Sequence, residues 1–160
     1  MRDLNDKIFK NSDDLSKILT GKKLSEKKIV FTNGCFDILH YGHIKLLLES
    51  KKHGDLLIVG LNSDSSIKKI KGPNRPINNN YQRSLMLASF SYVDFIVFFS
   101  DPSPIKLIKK IKPNVITKGG DYNLNSIIGA NYILSIGGEV KIIPLVPNLS
   151  TSKLIKDSKF

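Results

Sequence analysis

The chain has a single cysteine, Cys35, and therefore no second cysteine with which it could pair. An internal disulfide framework and a cysteine-based structural metal site are both excluded. No apolar run approaches the roughly 18 residues of a membrane span, and the N-terminus (MRDLNDKIFKNSDD) lacks the basic-then-apolar order of a secretory signal. These absences predict a soluble, cytoplasmic protein that does not associate with a membrane.

Arginine is also scarce, because only Arg2, Arg75 and Arg83 contribute to the 25 basic residues. The formal net charge of +11 could attract a polyanion such as RNA. The lysines are spread along the chain, however, which favours a solvated lysine surface and small phosphorylated substrates over nucleic acid. A length of 160 residues predicts one domain, with residues 1–26 as an N-terminal helical extension and residues 27–160 as the main body.

Short apolar segments alternate with helical patterns along the main body. Each segment is β-branched or aromatic at consecutive positions, which is typical of strands that are covered on both faces. The predicted strands are residues 29–32, 56–61, 95–99, 115–117 and 140–143, and the predicted helices are residues 42–52, 81–90, 103–111, 127–136 and 150 onward, with a further N-terminal helix capped by Ser12. This order predicts an α/β fold, a Rossmann-like, doubly wound parallel sheet of five strands with its ligand at the strands' carboxyl ends.

Two stretches interrupt the alternation and are predicted to be loops. The stretch SIKKIKGPNRPINNN, residues 66–80, is rich in Lys, Gly, Pro and Asn, and it is long enough for a mobile lid or a binding loop. The stretch KGGDYNLN, residues 118–125, follows a strand with paired glycines, where backbone can approach a ligand closely.

The stretch FTNGCFDILHYGHIKLL, residues 31–47, carries the strongest functional signal. Its strand ends near Asn33, and Gly42 and His43 stand in the first turn of the next helix. Free amides and the positive end of the helix dipole make such a start a phosphate site, and His40, His43 and Lys45 can add donors and charge. The spacing fits neither the P-loop nor the dinucleotide motif.

These residues resemble a known family. The sequence HYGH fits the HxGH signature of the nucleotidyltransferase superfamily, and NGCFDILHYGHIKLL is similar to the adenylyltransferase domain of the bifunctional heptose-phosphate kinase and adenylyltransferase. The similarity continues through GLNSD, KGPNRPIN, VDFIV, KGGDY, GGEVKIIPLV and STSKLI, so it covers residues 29–155. It identifies residues 27–160 as a nucleotidyltransferase domain.

The resemblance implies transfer of AMP from ATP to D-glycero-D-manno-heptose 1-phosphate, which gives ADP-heptose, a lipopolysaccharide-core precursor, and pyrophosphate. It also implies Mg²⁺ as cofactor without a protein metal cage, a homodimer, and a separate kinase that supplies the pathway intermediate. Glycerol-3-phosphate cytidylyltransferase, or a related small-alcohol-phosphate enzyme, is the alternative within the class. The related cytidylyltransferases carry an arginine where this chain has Leu145, which favours the heptose-type relative. A non-catalytic nucleotide- or RNA-binding protein is the alternative from another class.

Site residues follow from these patterns and from the resemblance. The predicted catalytic residues are His40, His43 and Lys45. The predicted nucleotide contacts are Asn33, Gly34, Cys35, Phe36, Gly42, Arg75, Lys118, Gly119, Asp121, Ser150, Thr151 and Ser152, and the predicted acceptor contacts are Asp37, Asn62 and Arg83. Structural alternatives remain for several of them. Cys35 could be a small packed residue, Asp37 a buried hydrogen-bonding acid, Arg83 an ion-pair partner, and residues 150–152 only a helix cap.

Overall fold

A computed structural model describes residues 3–22, 24–120, 123–144, 151 and 155. Six strands and six α-helices are present in these residues, together with two short 3₁₀ turns at Leu4–Lys7 and Leu124–Ser126. The strands are β1 (Ile8–Phe9), β2 (Ile29–Gly34), β3 (Leu56–Asn62), β4 (Phe95–Phe99), β5 (Val115–Gly119) and β6 (Glu139–Ile143). The helices are α1 (Ser12–Leu19), α2 (Tyr41–Lys51), α3 (Asp64–Lys71), α4 (Asn80–Ala88), α5 (Ile105–Ile111) and α6 (Ala130–Ser135).

The strands form one sheet in the order β1-β4-β3-β2-β5-β6, and every neighbouring pair is parallel. The chain adds β3 and β4 on one side of β2 and then β5 and β6 on the other, so the order reverses between β2 and β5. Ligands of open α/β sheets bind at the carboxyl ends of the strands at such a reversal. The doubly wound α/β prediction is confirmed.

The prediction of five strands is wrong, because the N-terminal segment supplies a sixth. Ile8 and Phe9 pair with Ile96 and Val97 at the edge of the sheet. Helix α1 then buries Leu15 and Leu19 in the core. Its N-cap is Asn11, whose side chain accepts a hydrogen bond from the Asp14 amide, rather than the predicted Ser12.

Apolar side chains cover both faces of the sheet. One cluster joins α1, α5 and α6 to the face that carries Phe31, and the other joins α2 and α4 to the face that carries Val30. Every residue of β3 is buried. This is why the central strands appear in the sequence as continuous apolar runs.

The stretch 66–80 is not one loop, because its first part continues α3. Ser63 caps this helix by accepting from the Ser66 amide, and Gly72 ends it with a φ of 98°. Of its two apolar side chains only Ile67 is fully buried, and Ile70 is exposed, so the sequence shows no clear helical period. The remaining loop, residues 72–79, contains a cis peptide between Arg75 and Pro76.

Other boundaries differ by a few residues from the predicted ones. The predicted helix 127–136 is confined to Ala130–Ser135, and the helix predicted from residue 150 onward lies mostly outside the described residues. Of that segment Thr151 and Ile155 are described, and both are helical. No helix in the described part of the chain is long and apolar enough to cross a membrane.

Candidate active site

The floor of the site lies where β2 and β5 end side by side at the reversal of strand order. The Thr32 hydroxyl donates to the Thr117 carbonyl at 3.1 Å, and the Thr117 hydroxyl meets the Ser50 hydroxyl of α2 at 2.7 Å. These buried contacts fix α2 against both strands. The predicted contacts Asn33 and Gly34 end β2, and Lys118 and Gly119 end β5, so the structure brings all four to one crevice.

Lys118 reaches across this floor, where its ammonium donates to the Asn33 carbonyl at 3.5 Å. Burial lowers the pKa of Lys118, and the nearby Cys35 thiol partly opposes that shift. Among the described residues no carboxylate pairs with this ammonium. A half-buried cation that pairs with no described carboxylate favours an anionic ligand.

The turn after β2 is held in a strained conformation at Phe36. Its φ of 45° lies in the left-handed region, which costs a bulky residue about 1–3 kcal/mol. The ring folds back over Gly34, where an added Cβ would lie 3.0 Å from the ring. Phe36 is 3% exposed, and its ring centroid lies 5.1 Å from that of His43. The predicted contact Phe36 is therefore a buried support of the histidine.

The two histidines of the HxGH motif stack on one another at the start of α2. Their ring centroids are 3.8 Å apart with an interplanar angle of 24°. The His40 amide donates to Nδ1 of His43 at 3.4 Å, which ties the two residues across the first turn. Gly42 allows the stack, because a Cβ at this position would lie 3.0 Å from Cε1 and Nδ1 of His40.

Both histidines are neutral at physiological pH. Burial, reinforced by the neighbouring His40, lowers the pKa of His43 to about 4, although a hydrogen bond to the Ile38 backbone opposes the shift. Burial also lowers the pKa of His40. A neutral imidazole offers one N–H donor, so hydrogen bonding rather than a full charge is what this pair contributes.

The start of α2 retains polar groups without a hydrogen-bond partner among the described residues. Nδ1 of His40 is buried and has no hydrogen-bond partner in the described part of the chain. The His43 and Ile44 amides bond to the His40 carbonyl, whereas the amides of Tyr41 and Gly42 have no partner among the described residues. Orphan donors at a helix N-terminus are suited to phosphate.

Lys45 and Asn62 lie at the sides of this site. Lys45 is half-buried one turn into α2, and together with the stronger effect of Lys52 it lowers the pKa of the Glu49 carboxyl. Asn62 is buried at the end of β3, where its amide donates to the Ser66 hydroxyl at 3.0 Å. Asn62 thus holds α3, and its predicted contact with the acceptor remains a prediction.

The Asp37 carboxylate is bound by residues of the 72–79 loop. Asp37 is 1% exposed and accepts from Nε of Arg75 at 2.6 Å and from the amides of Ile77 and Asn78 at 2.8 and 2.9 Å. Burial alone would raise the pKa of Asp37, but these amides and the Arg75 guanidinium outweigh it and hold the pKa below its ordinary value. The buried-acid alternative describes Asp37 in this structure, and Arg75 neutralises it.

Arg83 is fully buried, so this geometry does not present it to a sugar phosphate as predicted. The structure shows the ion-pair alternative instead, because Nη2 donates to Asp64 Oδ1 at 2.7 Å. Its other donors reach Asn80 Oδ1 at 2.7 Å, the Cys35 carbonyl at 2.7 Å and the Asn78 carbonyl at 3.0 Å. The sequence did not indicate Asp64, Asn78 or Asn80 as partners, because the loop and helix start that bring them to Arg83 have no recognisable motif.

Cys35 has the properties of a packed residue. It is half-buried, and burial raises the pKa of its thiol despite the nearby cations, of which Lys71 has the largest effect. Lys71 was not singled out in the sequence because it belongs to a lysine-rich run. The thiol remains protonated at neutral pH, which does not suit a nucleophile.

Three predicted contacts, Asp121, Ser150 and Ser152, lie outside the described residues. Thr151 is described, and its hydroxyl donates to the Ile38 carbonyl at 3.4 Å. This contact places Thr151 beside the turn that precedes His40, and its predicted contact with the nucleotide remains a prediction.

The chain offers no metal cage within its described part. No three His, Cys, Asp or Glu side chains of the described residues converge on one point, and the carboxylates of Asp37 and Asp64 are already paired with arginines. The described residues therefore do not form a protein-held Mg²⁺ site.

A groove of about 580 Å³ lies at the other end of the strands, where they begin, between α1 and α5. It is lined by Ile29 and Asn114, where β2 and β5 begin. None of the predicted site residues lines it. The carboxyl ends of the strands, with their unpaired donors, are the better candidate site.

The chain is similar to known proteins over most of its length. The chain is 48% identical over 154 residues to the "Bifunctional protein HldE" of Campylobacter jejuni strain RM1221, with 96% of this chain and 32% of that protein covered. It is 43% identical over 150 residues to the protein of the same name from Geobacter metallireducens, with 94% and 31% covered. The chain therefore spans about a third of the length of these relatives.

Two solved structures share the fold. The lipopolysaccharide core biosynthesis protein from Thermoplasma volcanium is 32% identical with a TM-score of 0.60, covering 75% of this chain and 97% of that one. The pantoate-beta-alanine ligase from Francisella tularensis has a TM-score of 0.66, covering 95% of this chain and 76% of that one; at 20% identity it shows the fold alone.

The family comparison covers the whole crevice. The match to the cytidylyltransferase-like family runs over residues 31–156, from within β2 to beyond the STS element, and includes both histidines and Lys118. The chain belongs to the cytidylyltransferase-like family and is a nucleotidyltransferase.

Proposed function

We propose that this protein transfers AMP from ATP to D-glycero-D-manno-heptose 1-phosphate, releasing pyrophosphate and forming ADP-heptose. The observation that supports phosphate chemistry at this site is the set of donors at the start of α2 that have no partner among the described residues, together with Lys118, which pairs with no described carboxylate. The choice of heptose and of ATP rests on the family resemblance and on the similarity to the HldE proteins.

The reaction needs no covalent enzyme intermediate. An oxygen of the acceptor phosphate attacks the α-phosphorus of ATP, a new P–O bond forms, and the bond from that phosphorus to the oxygen bridging to the β-phosphate breaks. The electron pair leaves with pyrophosphate. Catalysis then depends on in-line positioning and on stabilising charge as it develops on the phosphates.

The described residues divide this work between hydrogen bonds and charge. The amides of Tyr41 and Gly42 and the neutral imidazoles of His40 and His43 would donate to the phosphate oxygens. Lys118 and Lys45 would supply positive charge from the floor and side of the crevice. Mg²⁺, when bound to the triphosphate, would neutralise further negative charge without protein carboxylates as a cage.

The acceptor side and the assembly remain proposals. Asp121, Ser150 and Ser152 would complete the nucleotide site, and Asn62 is a predicted acceptor contact, whereas Arg83 is fully buried and would not contact the acceptor. The homodimer and the separate kinase come from the resemblance. Membership of an enzyme family removes the reason to invoke a non-catalytic RNA-binding protein.

Pyrophosphate release tests the proposal, with ATP or CTP offered together with heptose 1-phosphate or glycerol 3-phosphate. We expect release with ATP and heptose 1-phosphate. Turnover with CTP and glycerol 3-phosphate alone would replace the proposal by the cytidylyltransferase alternative.

The His43→Ala variant locates the activity. We expect turnover to fall by at least about 100-fold while the circular dichroism spectrum is retained. His53→Ala is the matched control, because His53 lies beyond the end of α2 and outside the crevice. Equal activity of both variants would show that the reaction does not use the HxGH pair.

A further inference from the structure

Arg83 lies at the centre of a buried polar network beneath the active site. Four described acceptors surround its guanidinium at 2.7–3.0 Å, and the side chain is 0% exposed. These acceptors come from four segments: the turn after β2, the start of α3, the 72–79 loop and the first residue of α4. A single side chain therefore sets the relative position of all four segments.

The network holds the strained turn from both sides of Phe36. Before Phe36, the Cys35 carbonyl accepts from Nη1 of Arg83 at 2.7 Å. After it, the Asp37 carbonyl accepts from the Asn78 side chain at 2.6 Å, and Arg83 in turn holds the Asn78 carbonyl. Both contacts depend on Arg83, either directly or through Asn78. They offset the cost of the left-handed backbone at Phe36.

The position of Phe36 matters because its ring backs the catalytic histidine. The ring is buried between Gly34 and His43, at 5.1 Å from the His43 ring centroid. If the turn relaxed to an ordinary backbone conformation, the ring would leave this position. His43 would then lose the apolar wall that orients its imidazole.

We infer that Arg83 is a positioning residue for nucleotidyl transfer, which holds Phe36 in its strained turn so that the Phe36 ring orients His43 toward the phosphates. The inference rests on the proposed function for its kinetic consequences only. The reacting groups themselves do not contact Arg83, and its guanidinium is not available to the substrates.

The first variant is Arg83→Lys, which keeps the charge but can satisfy only part of the planar set of four acceptors. We expect kcat for pyrophosphate release to fall by about 100-fold, with KM for ATP and for the acceptor within about threefold of wild type. The NMR signals of the His43 ring should shift, and their titration midpoint should move upward from about 4 as the ring becomes less buried. Unchanged kcat and unchanged His43 signals would overturn the inference.

Leu15→Ala is the control for loss of stability alone. Leu15 is fully buried in α1, in the cluster on the opposite side of the sheet from α2. This variant should melt at a lower temperature yet keep the wild-type His43 signals and kcat per folded molecule. If Arg83→Lys behaved in the same way, its role would be structural only.

The Phe36→Leu variant tests the route from Arg83 to His43. It should lower kcat by itself, and the double variant with Arg83→Lys should lose no more activity than the more impaired single variant, because both changes act on one turn. Independent, multiplicative losses would overturn the route through Phe36. A raised KM for the acceptor with normal kcat in Arg83→Lys would instead show direct substrate contact and would also overturn it.

A second variant, Asp64→Asn, tests the same inference if Arg83→Lys does not fold. Asp64→Asn removes the charge opposite Nη2 and leaves Arg83 in place. We expect a loss of about tenfold in kcat and a shift of the His43 signals in the same direction. The His43 signals need no turnover, so a wild-type protein without pyrophosphate release would defeat the proposed function and still leave the positioning role measurable.

Discussion

Replacing Gly42 by alanine should separate stability from activity in the HxGH motif. Gly42 lies in the first turn of α2, where alanine favours the helix by up to about 1 kcal/mol over glycine. The new Cβ would lie 3.0 Å from two ring atoms of His40, so this ring must move by a few tenths of an ångström. Because the His40 ring is not anchored by a hydrogen bond at Nδ1, we expect it to yield at little cost.

The free energy of unfolding of Gly42→Ala should therefore stay within about 1 kcal/mol of wild type in urea titrations, with a tendency to rise. Turnover should fall by about tenfold or more, because the displaced ring disturbs the stack on His43 and the phosphate path. In a His40→Ala background the same change should stabilise the protein and cause no further loss of turnover. Full activity of Gly42→Ala with its stability raised would refute the geometric role assigned to this glycine.

Two further predictions concern buried titratable groups. Since folded His43 has a pKa of about 4 against an ordinary value of 6.5, the unfolded chain binds more protons between these values, and stability should rise by about 2–4 kcal/mol as the pH is raised across that window. His43→Asn should remove this rise in urea titrations from pH 4 to 7, and parallel curves for both proteins would contradict it. Lys118→Met should raise the melting temperature at pH 7, because burial disfavours the ammonium, and should weaken ATP binding about tenfold in calorimetry. The exposed Lys106→Met is its control, and unchanged ATP affinity for Lys118→Met would exclude Lys118 from the nucleotide site.

The central strands were predictable because both faces of the sheet are covered. Every residue of β3 is buried, so its composition alone identifies it. Strand β1 has only two residues, and its partners Ile96 and Val97 lie almost ninety positions away. No local pattern distinguishes so short an edge strand. Helix α3 was hard to predict for a related reason, since Ile67 is its one fully buried apolar side chain and most of its other residues are polar or charged.

In the active site too, contacts within one helical turn could be predicted from the sequence, and contacts between distant segments could not. The His40–Gly42–His43 unit is contained in one helical turn, so its residue types and spacing were sufficient to place it. Asp37 pairs with Arg75, 38 positions away, and Arg83 binds the Cys35 carbonyl, 48 positions away, and the Asp64 carboxylate, 19 positions away. Residue type alone predicted that both arginines would bind phosphate. In the structure each forms an ion pair with a carboxylate instead.

Because both arginines are ion-paired, the positive charge that would stabilise the phosphates must come from other groups. Arg75 neutralises Asp37, and Arg83 neutralises Asp64, so neither arginine offers its full charge to a triphosphate. The HxGH imidazoles are neutral, because burial depresses the pKa of both. The described groups that remain are the free amides at the start of α2 and the ammonium groups of Lys118 and Lys45, which pair with no described carboxylate. The arginines therefore hold the loops around the site in place. The amides at the start of α2 and the lysines would provide its positive electrostatic potential.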